Sequence, residues 1–317
     1  MVWSAAGGIP VGTLRSILKL SRGYFLIPGL LLYFLGAEVA LVYGAIYQLD
    51  ALLLGYLPLG FAHLSVSFSN DYFDQEADRS GQSQGFSGGS GVLVSHPELA
   101  PLAWNIAIGL LAASWLSAAL VAVWFALPLA YLALVFSGSL LGWYYTAPPL
   151  KLAYRGWSEV ANVVAVGLLI PGLGYYMMRR TIDLPFLALT VPLACYGLFF
   201  ILSVHLPDIE SDELAGKRNL LTRFGKRAGG FVVLGASMAG AATLALVLWG
   251  TALGDNGRAI PIALPSIIPI TAATLWILRE PVSKEQRGRQ TKLDLASVML
   301  FLVAAVLVIY ASVGALE

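Results

Sequence analysis

Residues 51–78 read ALLLGYLPLGFAHLSVSFSNDYFDQEAD. No Asp, Glu, Lys or Arg interrupts the run from Ala51 to Ser69, which matches the roughly 20 apolar residues that a helix needs to cross a bilayer. The run ends abruptly in Asn70-Asp71-Tyr72-Phe73-Asp74-Gln75-Glu76-Ala77-Asp78, a segment with four acids and no base. Residues three and four apart share one face of a helix. His63, Ser67, Asn70, Asp71, Asp74 and Asp78 therefore form one polar stripe at the end of a membrane span.

Similar apolar runs recur along the chain, approximately at 24–46, 51–71, 102–124, 127–146, 159–178, 185–206, 228–250, 259–278 and 293–315. Only Trp124 to Pro128 separates the third from the fourth, and Pro171, Gly172 and Gly174 interrupt the fifth, which membrane helices tolerate. Of 317 residues, 58% are hydrophobic and 12% charged, with mean hydropathy +0.78, against about 25% charged in a soluble domain. The expected fold is all-α: a polytopic membrane protein with nine transmembrane helices in a bundle. A net charge of +1 argues against a nucleic-acid partner. Cys195 is the one cysteine and lies within an apolar run, so no intrachain disulfide is available. The first fourteen residues hold no base and no short apolar core with a cleavage-like site. The first span is therefore expected to direct insertion without a removable signal.

Basic residues set an orientation. Sixteen of the nineteen Lys/Arg fall at the N-terminus (Arg15, Lys19, Arg22) or after even-numbered spans, and only Arg179, Arg180 and Arg258 fall on the other side. The N-terminus is expected in the cytoplasm and the C-terminus outside. Asp74 and Asp78 recur 134 residues later as Asp208 and Asp212, each pair following an even-numbered span. The echo puts both pairs at one membrane face and suggests two related four-helix units plus one helix.

In the second cluster, Asp208-Ile209-Glu210-Ser211-Asp212, the residues His205, Asp208 and Asp212 share a face. Carboxylates this dense repel one another unless a cation lies between them. As plain surface charges they would also sit badly, because acids at a helix C-terminal end oppose the macrodipole. Mg²⁺ takes oxygen ligands and commonly bridges one or two carboxylates to phosphate oxygens. Two facing acidic stripes would hold Mg²⁺ and, through it, a diphosphate. Lys151, Arg155, Lys217 and Arg218 lie in the adjoining loops, where cations could steady a departing diphosphate.

The paired pattern, Asn70-Asp71-x-x-Asp74-x-x-x-Asp78 with Asp208-x-x-x-Asp212, resembles the signature of the UbiA superfamily of intramembrane prenyltransferases, and the nine-span layout is similar too. The resemblance covers essentially the whole chain as one transmembrane domain, with 79–100 and 208–227 as cytoplasmic cap loops. It implies that Asn70, Asp71, Asp74, Asp78, Asp208 and Asp212 bind Mg²⁺ and that the five Asp, with Lys151, are catalytic. It also implies that the Asp clusters bind an isoprenyl diphosphate, whose tail would run through an apolar tunnel open to lipid; Arg22 (or else an anchor of the first span), Arg79, Lys151, Arg155, Lys217 and Arg218 are the cations expected to contact that diphosphate. An acceptor, usually an aromatic ring, would attack the allylic carbocation. Tyr145-Thr-Ala-Pro-Pro-Leu-Lys151-Leu-Ala-Tyr-Arg155-Gly, followed by Glu159, and the Gly/Ser-rich run before Val94 look like the menaquinone-pathway branch, which prenylates dihydroxynaphthoate. Val204, His205 and Pro207 depart from that branch, as does the six-residue spacing of Tyr145 and Lys151. Hydroxybenzoate, homogentisate and glycerol-ether lipids are the other acceptors within the class.

Other features complete the reading. Residues 80–91 form a Gly/Ser loop able to close over a diphosphate with backbone N–H groups. His63, Tyr145 and His205 are candidates for the acceptor pocket. Tyr175 and Tyr176 read as interface-belt aromatics. Glu38 is a costly charge midway along the first span and is the feature that a cation-coupled transporter would use. No P-loop pattern occurs, so nucleotide hydrolysis has no support.

Overall fold

The computed structural model describes residues 11–80, 89–250 and 259–313. Among these, every regular element is helical. The helices in chain order are α1 (Val11–Ser21), α2 (Leu26–Val42), α3 (Leu49–Phe73), α4 (Gln75–Ser80), α5 (Val92–Ser95), α6 (Ala100–Trp124), α7 (Leu129–Trp143), α8 (Ser158–Val164), α9 (Ile170–Arg179), α10 (Leu184–His205), α11 (Ile209–Leu214), α12 (Leu220–Trp249), α13 (Ala259–Ala263), α14 (Ile267–Arg279) and α15 (Lys284–Val313). Short 3₁₀ turns join several of them, and a π-helical segment, Ala165–Leu169, joins α8 to α9.

Eight helical stretches among the described residues are long and apolar enough to cross a membrane, and the chain is an integral membrane protein. The expected fourth span is the exception. It forms α7, which has 15 residues and so rises about 22 Å, short of the roughly 30 Å hydrocarbon core. Pro128 in extended conformation starts it late, and the turns after Trp143 end it early. Other boundaries also move. The last span starts at Lys284, well before 293, and α12 starts at Leu220, with Gly225 at φ 79° dividing its first turns from its apolar part. Arg258 and residues 81–88 of the Gly/Ser loop lie outside the described residues.

Small residues and hydroxyls make the contacts between spans, as expected where lipid removes the hydrophobic drive for helix association. α2 crosses α9 at Gly36 and Gly174. A Cβ on Gly36 would lie 1.9 Å from the Pro171 carbonyl oxygen, and one on Gly174 would lie 1.9 Å from that of Tyr33. α3 is tied to α6 by Ser65 Oγ donating to the Ala107 carbonyl (2.8 Å) and Ser114 Oγ donating to that of Pro58 (2.7 Å). α10 packs against α8, α12, α15 and the π segment, so it runs through the interior. Tyr175 and Tyr176 are buried rather than placed in an interface belt. The Tyr176 ring lies against Tyr131 of α7 (centroids 6.4 Å apart) and the Tyr175 ring against Phe186 of α10 (4.9 Å), and Tyr175 donates to Asp183 Oδ1 (2.6 Å).

Candidate active site

α3 delivers the first acidic motif as its periodicity requires. The helix breaks only at Asp74, whose N–H still bonds the Asn70 carbonyl (2.9 Å), and the Asp78 N–H bonds that of Asp74 (2.8 Å). The stripe therefore keeps its alignment into α4. All six of its residues, His63, Ser67, Asn70, Asp71, Asp74 and Asp78, line one cavity of about 390 Å³. Asp208, from the 3₁₀ turn Leu206–Asp208 after α10, and Asp212, from α11, line the same cavity. Glu76 and Glu210, which share these segments, are exposed. Helical spacing alone separates inward from outward acids.

Asp71 and Asp74 are each held by definite partners. Asp71 is buried, is ion-paired with Arg22, and accepts from the Ser90 N–H through both oxygens (3.2 and 3.0 Å). Arg22 reaches it from a left-handed residue (φ 43°) between α1 and the turn Gly23–Phe25. Asp74 accepts from the Tyr154 hydroxyl (2.7 Å) and from Lys217 Nζ (3.3 Å). Asn70 accepts from Thr146 Oγ1 (2.8 Å). The Asp78 carboxylate occupies the space beside Gly89 where a Cβ would stand, 1.7 Å from that position. Burial, then the negative charges of Asp74 and Asp71, push the Asp78 carboxyl up to about 6, against the pull of Lys217 and Arg22. Residues 89 and 90 of the Gly/Ser loop thus lie against two acids of the motif.

Lys217 joins the two motifs. Its Nζ lies 3.3 Å from Asp74 Oδ2 and 3.8 Å from Asp212 Oδ1. Burial works against its charge, but Asp74 and Asp212 more than offset this and hold the ammonium above its ordinary range. Asn219 Nδ2 donates to Asp212 Oδ2 (2.9 Å) while Asn219 Oδ1 caps α12 by accepting from the Thr222 N–H (2.9 Å). Tyr154 is held protonated, first by burial and then by Asp74, so it stays a donor. Burial, followed by the charges of Asp212, Glu159 and Asp74, likewise holds the Tyr145 phenol protonated at the cavity wall.

His205 is buried and lines the cavity below the acids, with Nδ1 4.0 Å from Glu159 Oε1. Glu159 also accepts from the Leu220 N–H (2.6 Å) and from Ser158 Oγ (2.9 Å). Below this level the walls are mainly apolar, including Leu32, Val135, Val166, Leu193 and Leu302, with His63, Ser139 and Asn162 among them. The π segment contributes Ala165, Val166 and Leu169, and π insertions are frequent at functional sites.

The structure sorts the six expected cations. Arg22 and Lys217 reach the cavity. Arg79, Lys151, Arg155 and Arg218 are exposed and are not among its walls. Lys151 stands outside it with Nζ over the Tyr154 ring at 5.5 Å. Tyr154 and the Glu159–His205 contact escaped the sequence reading. Asn219-x-x-Thr222 ahead of an apolar run is a helix-start pattern that could have marked Asn219.

The donor set at the mouth is oxygen only, which suits Mg²⁺. Burial, and then the charges of Asp74 and Asp71, disfavour the ionised form of Asp78, and a cation at the mouth would favour it. Among the described residues, no three His, Cys, Asp or Glu side chains converge closely enough to hold a metal by themselves. That fits an ion whose coordination is completed by phosphate oxygens and water.

An all-helical membrane protein whose interior cavity is acidic and cationic at its mouth and apolar in its depth is the class that this fold and site define. The chain belongs to the UbiA prenyltransferase family, whose model matches residues 26–298. It is 27% identical over 124 residues to the 1,4-dihydroxy-2-naphthoate octaprenyltransferase of Bacillus subtilis, covering 39% of this chain and 38% of that protein. It is 27% identical over 93 residues to the 2-carboxy-1,4-naphthoquinone phytyltransferase of Synechocystis, covering 29% and 30%. The matches thus span well under half the length of these relatives. The fold is similar to that of a UbiA homologue from Archaeoglobus fulgidus bound to DMAPP and Mg²⁺, with TM-score 0.63 and 19% identity, covering 93% of this chain and 99% of that one. It is also similar to the apo structure of a UbiA homologue from Aeropyrum pernix, with TM-score 0.67 and 17% identity over 90% and 98%.

Proposed function

We propose that the chain transfers a polyprenyl group from an isoprenyl diphosphate to an aromatic acceptor in an Mg²⁺-dependent reaction, with 1,4-dihydroxy-2-naphthoate as the acceptor of first choice. The observation that carries this reading is the single cavity whose mouth gathers Asp71, Asp74, Asp78, Asp208, Asp212, Arg22 and Lys217 and whose depth is apolar. A charged head with an apolar tail satisfies both ends.

Asn70, Asp71, Asp74, Asp78, Asp208 and Asp212 are the residues that would hold Mg²⁺. When bound, the ion would offset the negative charge that builds on the departing diphosphate. Lys217 and Arg22 offset the same charge directly from the protein, and Tyr154 orients Asp74 for its part. In the reaction the donor's allylic C–O bond breaks and its electron pair leaves with the diphosphate. A ring carbon of the acceptor forms the new C–C bond, and that carbon's proton is then lost. Apolar walls keep water from the cation. His205, beside Glu159, and Tyr145, which line the cavity, would meet the acceptor's oxygens. The stretches 79–100, of which 81–88 lie outside the described residues, and 208–227 are the cap loops of this reading, and the basic loops support a mouth that faces the cytoplasm. The naphthoate preference draws on the two partial matches to naphthoate- and naphthoquinone-named relatives.

The test is incubation of purified protein with Mg²⁺, a series of prenyl diphosphates and candidate acceptors, with mass spectrometry of the products. A prenylated naphthoate is expected. A prenylated hydroxybenzoate, homogentisate or glycerol ether would keep the reaction and change the acceptor. No product from any pair, with ion flux in proteoliposomes, would replace the enzyme by a transporter. Glu38, the residue a transporter would need, is absent from the cavity walls.

A further inference from the structure

The first half of α15 carries a polar face that does not line the cavity. Arg287, Gln290, Thr291 and Asp294 fall at the three- and four-residue spacings of one helix side, and none is more than 5% exposed. Two of the four reach the second acidic motif. Arg287 is ion-paired through Nη2 with Glu210 of α11, and its Nη1 donates to the Val282 carbonyl (2.6 Å). Glu210 stands midway between Asp208 and Asp212 but is exposed and no part of the cavity wall. Thr291 Oγ1 donates to the Ser203 carbonyl (2.9 Å) in the last turn of α10. In an unbroken helix that carbonyl would take the N–H four residues on, but residue 207 is Pro and has none. Thr291 supplies a donor in its place, where α10 gives way to the 3₁₀ turn Leu206–Asp208.

The second motif cannot hold its own shape. Asp208 ends a turn of three residues and Asp212 lies in a helix of six, too short to be stable alone. From the cavity side, Lys217 and Asn219 hold Asp212. From the other side the grip comes from α15. Apolar side chains would serve packing as well, since a buried ion pair seldom gains stability over them. What the charged pair adds is direction. We propose that Arg287, through Glu210, and Thr291, through the Ser203 carbonyl, fix Asp208 and Asp212 in register with the first acidic motif. Neither lines the cavity, so both are positioning residues that act through other groups. The proposal rests on the Mg²⁺-dependent prenyl transfer of the preceding section.

Two readouts on the full chain in nanodiscs test it. The first is hydrogen–deuterium exchange over residues 203–214 in the metal-free protein, which Arg287→Met should speed by about tenfold. The second is turnover: in Arg287→Met the Mg²⁺ concentration for half-maximal rate should rise about tenfold. Arg287→Lys, which keeps the charge without the forked donor, should recover most of both losses. Thr291→Val should shift both readouts the same way by about threefold, and Thr291→Ser should not. Thr291→Val decides alone if Arg287→Met does not insert. Arg289→Met removes an equal charge from the outer face, where Arg289 pairs with Glu285 (2.6 Å), and should leave both readouts unchanged. Either readout unchanged in Arg287→Met, or an equal shift in Arg289→Met, would overturn the positioning role and leave prenyl transfer standing. No product from the wild type with any donor and acceptor would overturn the parent reading and this inference with it.

Discussion

The mouth of the cavity and its depth are built on opposite principles. At the mouth, charges are interlocked: Arg22 with Asp71, and Lys217 with both Asp74 and Asp212. Replacing Arg22, Asp71 or Lys217 leaves a buried opposite charge without its counterpart, which is costly. In the depth, Leu193, Tyr196 and their neighbours are mainly apolar, and the Tyr196 hydroxyl bonds Ser266. Changes at the mouth should therefore act on rate and metal dependence, and changes in the depth on which substrate fits.

The sharpest break in that contrast comes from the acids. Asp74→Ala or Asp208→Ala should each lower turnover by about 10³-fold or more while the protein still inserts and purifies as a monodisperse species. Full activity in both would end the metal assignment. Next in size, Lys217→Met should cost roughly 10²-fold in kcat/KM, whereas Lys151→Met, outside the cavity, should stay within about threefold. Equal losses would show that the cation ranking drawn from the structure is wrong. Gly89→Ala puts a methyl group into the space of the Asp78 carboxylate and should reduce activity about tenfold. The Mg²⁺ concentration for half-maximal rate should rise with it; an unchanged Mg²⁺ response would separate Asp78 from the metal. Tyr154→Phe removes one hydrogen bond to a charged acceptor and should cost about fivefold, less than any of the other changes at the mouth.

What the sequence makes legible follows from the same contrast. Hydropathy marks the spans because lipid demands apolar side chains outward, and helical period turns Asn70 through Asp78 into a face that lines the cavity. Local pattern stops there. Lys217 and Arg218 are neighbours with equal claims in the sequence, yet one enters the cavity and the other is exposed. The turn between α11 and α12 makes that choice. Glu159 and His205 are 46 positions apart, and only the packing of α8 on α10 brings them near each other. The short α7 shows the same limit for the fold, since apolar composition fixes where a span can lie but not where turns cut it.

The central claim is that both acidic motifs act together, through Mg²⁺, on one diphosphate. Calorimetric binding of a non-reacting prenyl thiolodiphosphate, with and without Mg²⁺, tests this most directly in the wild type, Asp74→Asn and Asp208→Asn. Binding should require Mg²⁺ and be lost alike in both variants. Tight binding without Mg²⁺, or loss in only one of the two variants, would contradict a shared site.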